Sequence, residues 1–101
     1  MNNNQLLSNM EIPVQFKNNK NQILNGIIHK PKKYDIAIVF LHGFPGTMFG
    51  TAARLLNIFS KLGFLCFRFE FSGTNTSEGK FEDKLISQEV KDTKYAIDFL
   101  Q

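Results

Sequence analysis

Tryptophan is absent from this 101-residue chain, cysteine occurs once and proline three times. A lone Cys66 excludes an internal disulfide framework and fits a reducing, cytoplasmic setting. The longest apolar run, residues 36–41, falls far short of the roughly 18–20 residues that a membrane-spanning helix needs. Clustered positive charge is missing as well. Twelve basic residues stand against nine acidic ones and Lys32-Lys33 is the one adjacent basic pair, so no nucleic-acid-binding stripe is present. Two histidines and one cysteine at scattered positions give no metal-ligand spacing. The opening MNNNQLLSNM has no basic stretch followed by an apolar core, and no signal peptide is expected. What the chain has is apolar bulk: 43% of its residues are apolar and 21% charged, and Phe outnumbers Tyr eleven to two. That balance argues against disorder, and the length allows one domain. A small α/β protein is the expectation.

Residues 1–10 form a polar lead. Ile12, Val14 and Phe16 then alternate with polar neighbours, the period of a half-buried strand. Asn18, Asn19, Lys20 and Asn21 form a turn, because Asn tolerates left-handed backbone and bonds its own main chain. Leu24, Gly26 and Ile28 alternate again until Pro31, which completes an antiparallel hairpin. Residues 36–41 are continuously apolar, as in a parallel strand buried on both faces. Ala52, Leu55, Leu56, Phe59 and Leu62 follow at helical spacing, with Lys61 and Gly63 suited to the helix end. Residues 64–71 read as a further strand, with Phe67, Phe69 and Phe71 on one face and Cys66, Arg68 and Glu70 on the other. A polar loop, residues 72–79, leads to a second helix with Ile86, Val90, Thr93, Ile97 and Leu100 on its inward stripe. The middle strand-helix-strand predicts a parallel pair.

Chemistry has two candidate places. His42-Gly43-Phe44-Pro45-Gly46-Thr47 follows the apolar strand directly, at the strand end where ligands of open α/β sheets collect. Its glycines permit close backbone approach, and amides there can face developing negative charge. The bland reading is a chain turn with a hydrogen-bonded His42. A phosphate-binding reading of Gly43, Gly46 and Gly50 fits neither the GxxxxGK[ST] nor the GxGxxG spacing. The second place, Asn75-Thr76-Ser77-Glu78-Gly79, mimics a GxSxG nucleophile elbow. An elbow needs a sharp strand-to-helix turn, whereas Ser77 lies six residues beyond Phe71 in a polar loop with no His after it, so Ser77 reads as a loop serine. His29, at a strand end, is expected to be solvated. Cys66 reads as a small core residue. Arg68 and Glu70 share a strand face and are expected to pair.

Taken in order, these segments resemble the α/β-hydrolase superfamily, in its serine aminopeptidase-like and cinnamoyl-esterase-like branch. Leu24, Gly26 and Pro31 resemble that branch's L-x-G…P hairpin, and Ile38-Val39-Phe40-Leu41-His42-Gly43-Phe44 its third strand and HG loop. Phe67-Arg68-Phe69-Glu70-Phe71-Ser72-Gly73 is similar to its strand ending in R-x-D-x-x-G, and Ser77-Glu78-Gly79-Lys80-Phe81 to its S-x-G-x-F continuation. Asp92 and Ala96-Ile97-Asp98-Phe99-Leu100 match the helix that follows. The resemblance covers about residues 14–101, within one partial domain spanning 1–101. Glu70 stands where the family has Asp, and Asn75 where it has Gly.

The resemblance implies the N-terminal part of an α/β-hydrolase fold: a hairpin, then β-α-β-α with parallel strands, three-layered when completed. It implies acyl transfer from small esters or acyl-peptides by a Ser, an acid and a His in that chain order, without cofactor or metal. Of that machinery the chain carries the oxyanion loop, His42, Gly43 and Phe44, with the Phe44 amide as the matching donor. Nucleophile, acid and catalytic His are expected beyond Gln101. The chain alone is then expected to be catalytically silent, with an open sheet edge that invites self-association. The alternative is a non-catalytic α/β module that binds a protein partner along that edge.

Overall fold

The alternating N-terminal segment forms β1 (Asn9–Lys17), which turns back antiparallel into β2 (Ile23–Pro31). Asn18 closes the turn: its side-chain oxygen accepts the Lys20 and Gln22 backbone N–H groups at 3.0 Å each. Asn21 supplies the left-handed residue, φ 60°. β1 starts within the expected polar lead because Asn9 and Met10 continue the ladder opposite Pro31 and Lys30. The chain then runs through β3 (Ala37–Leu41), α1 (Thr51–Lys61), β4 (Leu65–Phe69), a 3-10 turn (Phe81–Asp83) and α2 (Ile86–Leu100). This computed structural model describes residues 9–43 and 46–101.

The sheet order is β1-β2-β4-β3, with β2 antiparallel and β3 parallel to β4. The close approach of β2 to β4 requires Gly26, where a Cβ would lie 2.6 Å from the Phe67 ring and 2.9 Å from the Arg68 carbonyl oxygen. Phe67 and Phe69 point to one face and join Phe16, Leu24, Phe71 and Ala96 in the core. Phe16 meets Phe67 and Phe69 edge-on at 5.9 and 5.5 Å, the arrangement that ring quadrupoles favour. Complete burial of Phe67 and Phe69 stabilises the fold by about 2–3 kcal/mol each. The opposite face carries Arg68, which reaches Met48 just ahead of α1. Here α1 packs on β4 and β2, so the two helices cover opposite faces. Helix α1 ends in a Schellman motif: the Phe64 N–H bonds Phe59 O, the Gly63 N–H bonds Ser60 O, and Gly63 has φ 100°.

Three expectations about burial change. β3 is half-exposed rather than buried on both faces, because it is an edge strand among the described residues, with β4 on one side only. In α1 the buried row is Ala52, Leu56 and Ser60, while Leu55 and Leu62 face solvent. In α2 it is Gln88, Asp92 and Ala96 that are buried, while Ile86 and Val90 are 80% and 64% exposed and Ile97 is also exposed. The cause is a polar anchor. Asp92 accepts hydrogen bonds from Asn18 Nδ2 (2.9 Å), Gln88 Nε2 (2.9 Å) and the Ser72 N–H (2.8 Å), which turns α2 so that its polar row meets the hairpin.

Candidate functional site

β3 delivers His42 and Gly43 to the carboxyl edge of the parallel pair. The His42 ring is buried against Phe71, 4.9 Å between ring centres, and its Nε2 accepts the Phe71 N–H at 3.1 Å. A neutral imidazole that accepts at Nε2 carries its proton on Nδ1, which lies 3.0 Å from the Gly43 carbonyl oxygen. The same carbonyl accepts the Gly46 N–H at 2.7 Å. His42 thus clamps the start of the loop onto the chain that continues β4. Phe44, the expected amide donor, lies outside the described residues. A cleft of about 170 Å³ opens between His42, Gly43, Gly46 and Thr47 on one side and residues 73–75, Phe81 and Lys84 on the other. Lys84 Nζ donates to Thr74 Oγ1 at 2.6 Å and pairs with Glu89 at 3.1 Å.

The far wall of the cleft is held by Glu70. Arg68 and Glu70 share a strand face but do not pair. Glu70 instead accepts from Asn75 Nδ2 at 3.0 Å, from the Thr76 N–H at 3.1 Å and from the Thr76 hydroxyl. The two residues that depart from the family pattern, Glu70 and Asn75, therefore bond each other, and Asn75 adopts the left-handed backbone (φ 43°) that the missing glycine would supply. Ser77 is a structural serine. Its buried hydroxyl donates to Glu70 O at 2.6 Å and accepts the Asn25 N–H at 3.0 Å. A hydroxyl engaged on both sides in this way is not presented to a substrate.

His29 is not solvated: it is 1% exposed. Strand alternation hid this residue, because a sheet covered on both faces buries its polar rows too. Its Nε2 accepts Arg68 Nε–H at 2.9 Å, while Arg68 Nη1 donates to Met48 O at 2.8 Å. Burial first, then the Arg68 cation, push the His29 pKa down, against a smaller upward pull from Glu11. Cys66 is a buried core thiol, as expected, and burial pushes its pKa up. Among the described residues no cluster of His, Cys, Asp or Glu is able to hold a metal ion, and no helix is long and apolar enough to cross a membrane.

No protein-family profile matches the chain. Among solved structures, the α/β hydrolase GrgF from Penicillium sp. sh18 superposes with a TM-score of 0.83 at 16% identity, over 90% of this chain and 32% of that one. The Mycoplasma genitalium protein named "Putative esterase/lipase 2" is 37% identical over 68 residues, 66% of this chain and 25% of its own length. The chain belongs to the α/β-hydrolase superfamily. A further member, human palmitoyl-protein thioesterase ABHD10, mitochondrial, is 34% identical over 83 residues, 81% of this chain and 27% of its own. The chain spans about a quarter of the length of these two α/β-hydrolase relatives.

Proposed function

We propose that this chain is the N-terminal portion of a serine hydrolase acting on carboxylic esters, thioesters or acyl-peptides, and that His42, Gly43 and Phe44 form half of its oxyanion hole. The observation that carries the reading is the clamp of His42 onto the Phe71 N–H at the carboxyl end of β3, beside the cleft. In acyl transfer a serine hydroxyl attacks the carbonyl, and the tetrahedral intermediate gathers negative charge on its oxygen. A backbone N–H fixed at that point lowers the barrier without reorganising, and losing one such donor costs about 3 kcal/mol. His42 serves as a loop former: its Nε2 lone pair is already occupied by the Phe71 N–H, so it cannot act as general base. The relatives' names, an esterase/lipase and a thioesterase, support ester or thioester substrates. Nucleophile, acid and catalytic His would come from polypeptide that follows this segment of the fold, and no cofactor is required. The one buried thiol supports a reducing compartment such as the cytoplasm.

The test is hydrolysis of p-nitrophenyl butyrate. The 101-residue chain alone is expected to give no rate above buffer. Assembled with a polypeptide bearing the elbow serine, acid and His, it is expected to turn the ester over. Hydrolysis by the chain alone that Ser77→Ala abolishes would overturn the reading.

A second reading, a module that docks a protein or a second copy along the edge of β3 that is unpaired among the described residues, is supported by Ile36, just ahead of β3, and Leu41, at its end, which are 58% and 48% exposed. Sedimentation velocity tests it: concentration-dependent association that Leu41→Lys removes supports docking, and a monomer at all concentrations contradicts self-association.

A further inference from the structure

Arg68 is 3% exposed, and a buried guanidinium is retained only where its donors are matched. Each of its edges addresses a different element. Nε–H bonds His29 on β2, Nη1 bonds the Met48 carbonyl ahead of α1, and Nη2 lies 3.9 Å from the Glu11 carboxylate on β1. Its central carbon stands 5.8 Å from the centre of the Phe49 ring. Met48 is itself 3% exposed and marks the end of the β3–α1 loop whose start His42 clamps. Both ends of that loop are thus hung from β4 and the residues that continue it, one through the Phe71 N–H and the other through the Arg68 side chain.

We propose that Arg68 is a positioning residue for the β3–α1 loop and that His29 is a proton-sensitive latch on it, so that protonation of His29 releases the loop's second anchor. The geometry requires a neutral imidazole. Nε2 must keep a lone pair for Arg68 Nε–H, which leaves the proton on Nδ1, 3.7 Å from the Glu11 carboxylate. A proton on Nε2 would set donor against donor and cation against cation at the same 2.9 Å. The groups that face His29 are Glu11 from β1 and Arg68 and Cys66 from β4; Arg54 and Lys61 of α1 lie in solvent. Burial and the Arg68 cation both oppose protonation, so release falls below the ordinary imidazole value of about 6.5. The latch's catalytic meaning rests on the oxyanion-loop reading, but its existence does not.

The experiment is a pH titration of the 101-residue chain from 8 to 4 by NMR, following the imidazole nitrogens of His29 and the backbone amides of Met48, Phe49 and Gly50. The expected result is a His29 ring protonated on Nδ1 at pH 7.5, and loop amides that shift with its own midpoint, below 6.5. His29→Gln, which keeps an acceptor for Arg68 and cannot titrate, should hold the loop amides at their neutral-pH positions throughout. Arg68→Met should give the acid-form positions at every pH, and the Phe67 and Phe69 ring resonances report whether each variant is folded. Loop amides that stay fixed while His29 titrates overturn the proposal. So does a transition of the loop amides that survives in His29→Gln, or an undispersed wild-type loop at pH 7.5. None of these readings depends on ester turnover, so failure of the latch and failure of the hydrolase assignment are seen separately.

Discussion

Asp92→Ala removes the anchor that orients α2 against the hairpin. The carboxylate is completely buried and accepts three hydrogen bonds, from Asn18, Gln88 and the Ser72 backbone. Two of those donors keep a second partner after the change: Asn18 Nδ2 still bonds Gln22 Oε1 at 2.9 Å, and Gln88 Nε2 still bonds Asn19 Oδ1 at 2.7 Å. The Ser72 N–H keeps no protein acceptor in this set. Leaving one buried backbone donor unsatisfied costs about 1–3 kcal/mol, and each weakened bond to a charged group adds about 1 kcal/mol. The sum is about 3–5 kcal/mol, a large share of the roughly 5–15 kcal/mol that stabilises a domain. Urea denaturation followed by far-UV circular dichroism reads it as a lowered midpoint at unchanged slope. Asp98→Ala is the control: its exposed pair with Lys94, four residues away on the same helix, contributes about 0.5 kcal/mol. An Asp92→Ala loss no larger than that of Asp98→Ala refutes the anchor.

Other outcomes follow from single contacts. Gly26→Ala should destabilise by about 1–3 kcal/mol through overpacking against the Phe67 ring and the Arg68 carbonyl, read in the same urea assay. Leu56→Ala, at the most buried apolar position of α1, should cost about 2–5 kcal/mol. His42→Ala should leave the Phe71 N–H without its acceptor, at about 1–3 kcal/mol, and should speed hydrogen exchange of that amide. The depressed His29 pKa means that the folded state binds fewer protons than the unfolded one. Its contribution is therefore present above about 6.5 and is lost as pH falls from there through the folded value. Midpoints measured from pH 8 to 4 should fall more steeply for the wild type than for His29→Gln.

The hairpin and the parallel pair were legible because strand alternation and the residues 36–41 run depend on local chemistry alone. The inward faces of the helices were not. Apolar spacing assigned Ile86, Val90 and Ile97 to the core, but the side of α2 that meets the sheet is chosen by Asp92 and Gln88, whose partners Asn18 and Asn19 lie about seventy residues away. The same blindness hid His29 and the separate partners of Arg68 and Glu70. A cue existed: an internal strand of a sheet with a parallel crossover is covered on both faces, so Arg68 and Glu70, alternating with Phe, were bound to need internal partners. The left-handed role of Asn75 was legible, since only Asn, Asp and Gly adopt it readily. That its side chain bonds the other departing residue, Glu70, was not.

The most direct test of the central claim is the kcat for p-nitrophenyl butyrate of this chain assembled with a polypeptide bearing the elbow serine, acid and His, with and without Phe44→Pro, which deletes one backbone N–H. A serine hydrolase whose oxyanion donor lies at Phe44 predicts a fall in kcat of roughly 100- to 1,000-fold at little changed KM. An assembled enzyme whose kcat is indifferent to Phe44→Pro contradicts it.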